Sequence, residues 1–180
     1  MRILILLSLL SAAACASANS SSEPPGAAST VRIAGAQGGE LRMTSNASAN
    51  VTRISFPIGK VWHALPAAFE QLGIPITSVD TLTHTLSNGG FKTRRVLGPT
   101  PLSRYIDCGS TQIGENADSY DVYLTVVARV DEEQTTGLAT LNTLFESMAR
   151  PVAFSREYSA CSSRGVLEKR LADAVLMQLR

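Results

Sequence analysis

The sequence is poor in the residues that catalyse reactions or hold metal ions. It contains two histidines and three cysteines in 180 residues. It has no nucleophile elbow, P-loop, dinucleotide-binding glycine motif or zinc-protease motif. The histidines, His63 and His84, have no cysteine at the spacing of a zinc site, and ordinary polar roles are expected for both. These absences predict a protein that is not an enzyme and that carries no cofactor or metal.

A strong charge of either sign is also absent. Sixteen basic and fifteen acidic residues give a formal net charge of +1. Proteins that bind nucleic acid carry a basic patch or stripe, so no nucleic-acid partner is expected. Three arginines, Arg94, Arg95 and Arg104, flank a long predicted loop and could contact an anionic group or a partner. The simpler alternative for them is a solvated surface.

No apolar run is long enough to cross a bilayer as a helix, which takes about 20 residues. The longest run, at 3–10, follows Arg2 and precedes small residues at 11–14. This order is typical of a secretory signal peptide. The sequence therefore predicts a signal peptide over 1–14 and export of the remaining chain.

The residues around Cys15 favour a lipid anchor. Ser-Ala-Ala-Ala before Cys15 resembles the end of bacterial lipoprotein signal peptides, in which the cysteine is acylated and becomes the N-terminus. That resemblance implies a membrane anchor on the periplasmic side of the cell envelope, most simply at the outer membrane. Residues 15–28, rich in serine, alanine and proline, then form a flexible tether. The alternative is ordinary cleavage after Ala18, which makes the protein periplasmic or secreted.

Two cysteines remain beyond the leader, Cys108 and Cys161. An even pair in an oxidising compartment predicts a disulfide. The bridge would hold the glycine- and proline-broken loop at 98–118 against the start of the last helix. Two buried free thiols are the alternative.

Two amphipathic helices are predicted from apolar residues three and four positions apart. The first begins at Pro57 and ends at Gly73, with Trp62 in the core and a kink at Pro66. A strand is expected to follow at 74–79. The second covers 163–179, with Ser162 or Ser163 as its cap and Glu168 on its exposed face. The apolar stripes are Ile58, Val61, Trp62, Leu65, Phe69 and Leu72 in the first helix, and Leu167, Leu171, Ala174, Val175 and Leu179 in the second.

Alternating apolar and polar residues predict the strands. The alternation is clearest at 119–130 and continues at 135–149, where a helix over 138–148 is the competing interpretation. Shorter strands are expected at 30–56, at 81–85 and at 90–97, with Asn88-Gly89 as the hairpin turn between the last two. The prediction is one α+β domain over 29–180, with an antiparallel sheet and both helices packed on one face.

The first helix and the residues after it carry the pattern VW-x-AL-x₃-FE-x-LGI-x-I, followed by Val79-Asp80. This pattern resembles the helix-grip-type domains of bacterial envelope lipoproteins, of which the BamC family is the best known. Targeting, tether and missing catalytic motifs favour an envelope module that binds a protein partner. The alternative is a carrier of a small ligand or lipid between helix and sheet, a space that Trp62, Phe69 and Leu72 are expected to fill.

Overall fold

The structure is a computed structural model that describes residues 29–34, 40–45, 50–153 and 157–180, with side chains described from residue 50 onward. The predicted signal peptide and tether lie outside these residues. In chain order the strands are β1 (Ser29–Ala34), β2 (Glu40–Ser45), β3 (Asn50–Ile54), β4 (Ser78–Asp80), β5 (Thr85–Arg94), β6 (Val96–Leu97), β7 (Thr100–Pro101), β8 (Ile106–Asp107), β9 (Ser110–Thr111), β10 (Gly114–Glu115), β11 (Asp121–Glu132), β12 (Ala139–Arg150) and β13 (Ser159–Ser163). The α-helices are α1 (Ile58–Gln71) and α2 (Val166–Gln178), and short 3₁₀ helices cover Leu102–Arg104 and Asn116–Asp118.

The long hairpin of β11 and β12 forms the centre of the sheet. The two strands pair without interruption from Asp121 opposite Arg150 to Glu132 opposite Ala139. In β11 the alternate side chains Val122, Leu124, Val126, Ala128 and Val130 are buried. The alternation predicted at 119–130 is therefore confirmed, and the second segment is a strand rather than the competing helix.

Five further strands, β3, β4, β5, β8 and β13, extend this hairpin on both sides into a seven-stranded antiparallel sheet. Its order is β4-β5-β11-β12-β13-β8, and β3 also pairs with β12. β12 divides its second edge between β3, at 139–143, and β13, at 147–149. β1 and β2 form a separate antiparallel pair. The predicted α+β class with an antiparallel sheet is confirmed.

Both helices contact the sheet and each other, and their apolar stripes share one core with the sheet. Leu65 and Phe69 of α1 and Leu171 of α2 have no exposed surface. Trp62 does not lie in the buried core, contrary to the prediction. It is half-buried at the rim, where its ring and the His84 ring are steeply inclined to each other, with centroids 5.5 Å apart.

α1 begins after Pro57, runs through Pro66 as one helix and ends in a Schellman motif. Gly73 has φ +72°, its N–H donates to the Glu70 carbonyl, and the Ile74 N–H donates to the Phe69 carbonyl, both at 2.9 Å. The predicted glycine stop is thus confirmed. The strand predicted at 74–79 is mostly wrong, because this turn is followed by irregular chain and β4 begins only at Ser78.

The hairpin turn predicted at Asn88-Gly89 is wrong, because these residues lie inside β5. The turn lies at 81–84 instead, where the Asp80 carboxylate accepts the Leu82 and Thr83 amides at 2.9 and 3.2 Å. Asn88 is fully buried and donates its side-chain amide to the Pro75 carbonyl. The pairing of β5 with β11 shifts register at this point. Gly89 and Gly90, which follow Asn88 and lie opposite Thr125, therefore form a β-bulge, another structure that tolerates glycine.

The segment at 98–118 has more structure than the sequence predicted. Leu102, Tyr105 and Ile106 are buried, and the Asp118 carboxylate accepts the Ser103 amide and hydroxyl at 2.9 and 2.6 Å. The strand β8 of this segment pairs with β13, a strand that the sequence did not predict.

The predicted disulfide is present. Cys108 and Cys161 are bonded with their Cα atoms 4.5 Å apart. The two residues occupy the next position along the β8–β13 ladder, in which Asp107 lies opposite Ser162. The bridge thus extends a strand pairing, and Cys161 lies in β13 ahead of the last helix.

α2 departs from the prediction at its start. Its N-cap is Gly165, and neither Ser162 nor Ser163 caps it. Glu168 is buried rather than exposed, and one of its carboxylate oxygens accepts a hydrogen bond of 2.6 Å from the Ser163 hydroxyl. That hydroxyl in turn accepts the Gly165 N–H at 3.0 Å. The serine thus orders the helix start through the glutamate.

Replacing both Cys108 and Cys161 by serine should lower the free energy of unfolding by about 2–5 kcal/mol, because the bridge restricts the unfolded chain. Urea unfolding of the purified chain measures the loss. Reducing the wild type with dithiothreitol should reproduce it, and the double variant should not respond to the reductant. A wild type that is insensitive to reduction, with both thiols titrating as free, would contradict the bridge.

Candidate functional site

The face of the central sheet that is turned away from the helices carries a cluster of polar and aromatic side chains. Successive residues of a strand point to opposite faces, so the neighbours of the buried residues in β11 and β12 point away from the helices. This surface is called the outer face below. It comprises Lys92, Arg94, Asp121, Tyr123, Thr125, Glu146, Met148 and Arg150, with Tyr158 beside them.

Asp121 lies at the centre of the positive end of the outer face. Its Oδ2 atom is 2.8 Å from the Lys92 Nζ and 3.7 Å from an Arg150 guanidinium nitrogen. The hydrogen bond from Lys92 is the main cause that holds the pKa of Asp121 below its usual 3.8, and the charges of Arg150 and Arg94 act in the same direction. Burial opposes them only in part. The carboxylate therefore stays ionised and fixes both cations in place.

Two tyrosines lie next to this charged group. The rings of Tyr123 and Tyr158 meet edge to face, with centroids 5.2 Å apart. The Arg150 guanidinium lies over the Tyr158 ring, 4.9 Å from its centroid. Tyr123 remains 39% exposed. The outer face thus presents tyrosine and arginine side chains, which are enriched at protein–protein interfaces.

Glu146 is the unusual residue of the outer face. It lies directly opposite Thr125 in the β11–β12 ladder, and the two residues are only 6% and 7% exposed. Neither carboxylate oxygen of Glu146 has a hydrogen-bond partner among the described residues. A buried polar group without a partner costs about 1–3 kcal/mol, and more when it is charged. Within the described residues, the free domain therefore has an unsatisfied acceptor in the middle of this face.

The three arginines predicted to contact an anion or a partner are not gathered at one place. Arg94 is the cross-strand neighbour of Asp121 on the outer face, and Arg95 follows it with φ +69°. Arg104 instead lines a depression of about 440 Å³ near the start of α2, together with Arg164 and Glu115. Their binding role remains a prediction.

The sequence had placed Asp121, Tyr123 and Thr125 together on the polar side of β11, but it gave them no function. The register of β12 against β11 brings Glu146 and Arg150 beside them, and this register is visible only in the folded structure. The only sequence signal for Glu146 is a single acidic residue inside a strand otherwise rich in threonine and apolar residues.

In the part of the chain that the structure describes, no group of three or more histidine, cysteine, aspartate or glutamate side chains is placed to hold a metal ion. In the same residues, neither α-helix has the length and apolar character needed to cross a bilayer.

Comparison of the chain with protein-family models, with curated proteins and with solved structures finds no match.

Replacing Asp121 by asparagine should destabilise the domain at neutral pH and have less effect in acid. A carboxyl whose pKa is lowered by folding stabilises the folded state above its unfolded pKa, near 4, and this contribution is lost as the pH falls through the folded pKa. The difference in unfolding free energy between wild type and Asp121→Asn should therefore shrink below about pH 4. Urea unfolding from pH 7 to pH 2.5 measures it. Asp173→Asn, which removes an exposed pair with Lys169, is the matched control and should change little.

A difference for Asp121→Asn that stays constant over this pH range would contradict the ion cluster.

Proposed function

We propose that this chain is a non-enzymatic, membrane-tethered module of the bacterial cell envelope that binds a protein partner through its outer face. The observation that carries the proposal is Glu146, a buried carboxylate without a hydrogen-bond partner among the described residues. It lies within a surface rich in tyrosine and basic residues. A partner whose docking moves aside the side chains that cover Glu146, and that donates a hydrogen bond to its carboxylate, would remove the cost that the free domain bears.

The surroundings of Glu146 favour a protein as the partner. Tyr123 and Tyr158 offer rigid amphipathic surface, and Arg150 is already held in position by Asp121. Residues of these types contribute most of the binding energy in many interfaces when a partner excludes water from them. An arginine or lysine of the partner, placed against Glu146, is the complement that this geometry favours.

Three further features support the envelope setting. The resemblance around Cys15 implies acylation there, and the composition of 15–28 suits a tether. The resemblance of the α1 segment to BamC-like helix-grip domains of envelope lipoproteins points to the same setting, and we include that architecture in the proposal.

The fully buried Leu65 and Phe69 fill the space between α1 and the sheet, which favours partner binding over a carrier function.

The test is photo-crosslinking in a Gram-negative envelope, with a photoreactive phenylalanine analogue in place of Tyr123 in the full chain. The expected result is one covalent adduct of discrete mass with an envelope protein. The same analogue in place of Met177, which is 54% exposed on α2, should give no such adduct. Equal adducts from both positions, or none from Tyr123, would overturn the proposal.

Glu146→Met separates binding from folding in this experiment. The substitution removes the unsatisfied carboxylate, so the purified chain should gain about 1–3 kcal/mol in unfolding free energy. The adduct from position 123 should nevertheless be lost, because the partner's donor then meets a thioether. An adduct that is unchanged by Glu146→Met would show that Glu146 has no part in binding.

The anchor is tested separately by fractionation. Cys15→Ser should move the chain from the membrane fraction to the soluble periplasm, because one acylated cysteine carries the anchor. Intact-mass analysis of the wild type should show the lipid. A mature chain that begins at Asn19 without lipid would show that the protein is exported without an anchor.

A further inference from the structure

One edge of β5 is unpaired over part of its length, because no other strand of the described chain bonds to it there. On one side the strand pairs with β11 as far as Arg94. On the other side β4 pairs only with 85–87, and the last contact there is the Gly89 N–H with the Thr77 hydroxyl at 2.9 Å. Beyond the bulge, residues 90–94 therefore present a free strand edge. Exposed edges of this kind are templates for the addition of a further strand.

The main-chain groups that point outward on this edge can be assigned. In an antiparallel ladder the N–H and C=O of one residue point to the same side, and the side alternates along the strand. The Val130 N–H donates to the His84 carbonyl, so the main-chain N–H and C=O groups of the even-numbered residues of β11 point toward β5. Phe91 and Thr93, opposite Leu124 and Val122, thus bond to β11. Lys92 and Arg94 direct their main-chain groups outward.

A groove runs along this edge on the side of the helices. It has a volume of about 500 Å³, and its walls are the end of α1, the chain at 73–75 and the chain at 96–98. Its apolar lining includes Phe91, Pro75 and Val96, and Val96 is 45% exposed. A strand added to β5 would place every second side chain in this groove.

The intervening side chains of an added strand would lie on the outer face, level with Lys92 and Arg94. Basic residues at these positions, with Arg95 next to them, favour acidic side chains on the incoming strand. A second copy of this chain is disfavoured as the occupant, because edge-to-edge pairing would bring the same basic residues together.

We propose that the free edge of β5 accepts an extended segment of a partner protein in which apolar and acidic residues alternate. The apolar side chains enter the groove beside Val96, and the acidic ones meet Lys92 and Arg94. Main-chain bonds to Lys92 and Arg94 supply affinity, and the alternation supplies specificity. This inference deepens the proposed function. It rests on that function for one point, namely that the partner is an envelope protein.

The probe is a blocked ten-residue peptide of alternating valine and glutamate, titrated into the ¹⁵N-labelled full chain carrying Cys15→Ser. The largest amide shifts should fall at Lys92, Arg94 and Val96. A peptide with lysine in place of glutamate should bind at least about fivefold more weakly, because it meets the basic edge. Equal binding of both peptides, or shifts confined to other surfaces, would overturn the inference.

A matched pair of variants isolates the main-chain contact. Lys92→Pro removes the outward N–H and leaves the β11 side of the ladder intact, whereas Lys92→Ala removes only the side chain. Lys92→Pro should weaken peptide binding about tenfold relative to Lys92→Ala, as expected for a lost strand hydrogen bond and the clash of the ring with the incoming strand. Equal binding by these two variants would contradict strand addition.

The groove provides a second pair, which decides the question if Lys92→Pro fails to fold. Val96→Asp should weaken binding at least about fivefold, and Val96→Thr should change it little.

Photo-crosslinking from Tyr123 distinguishes this inference from the proposed function. If crosslinking succeeds and both pairs of variants bind the peptide equally, the partner uses the outer face without strand addition. If the peptide binds as expected and crosslinking fails, the edge is real and the proposed envelope partner is wrong.

Discussion

The uninterrupted pairing of β11 with β12 determines both faces of the central sheet. It fixes which side chains of both strands point toward the helices, and a shift of one residue would exchange the two faces completely. On one face the register places Leu124, Val126 and Leu141 against α1 and α2. On the other it places Asp121 beside Arg150 and Thr125 beside Glu146. One register therefore builds both the core and the candidate binding surface.

The two carboxylates of the outer face show how similar positions acquire different roles. Asp121 lies beside Lys92 and Arg150, and these partners compensate the loss of its hydration. Glu146 is at least as deeply buried but has no such partner among the described residues. A chain under selection for stability alone would be expected to replace it by an apolar residue. Its presence is the reason to assign a partner to this face.

Sequence patterns predicted the elements whose determinants are local. The alternation at 119–130, the apolar stripe ending at Gly73 and the even pair of cysteines all gave correct predictions. The errors arose where tertiary contacts decided the outcome. The side chain of Asn88, inside β5, donates to the Pro75 carbonyl, and the buried Glu168 accepts from the Ser163 hydroxyl. The outer face could not be predicted, because it depends on the registers in which β5 and β12 each pair with β11.

Amide hydrogen exchange on the free chain reports the β11–β12 pairing and the β5 edge in a single measurement. The slowest exchange should occur in β11 and β12. Along β5, the amides of Phe91 and Thr93 should be protected, and those of Lys92 and Arg94 should exchange quickly. Slow exchange at all four β5 amides would mean that the edge is covered. β9 (Ser110–Thr111) and β10 (Gly114–Glu115) form a short exposed pair, and exchange in β11 and β12 as fast as in that pair would contradict the central pairing.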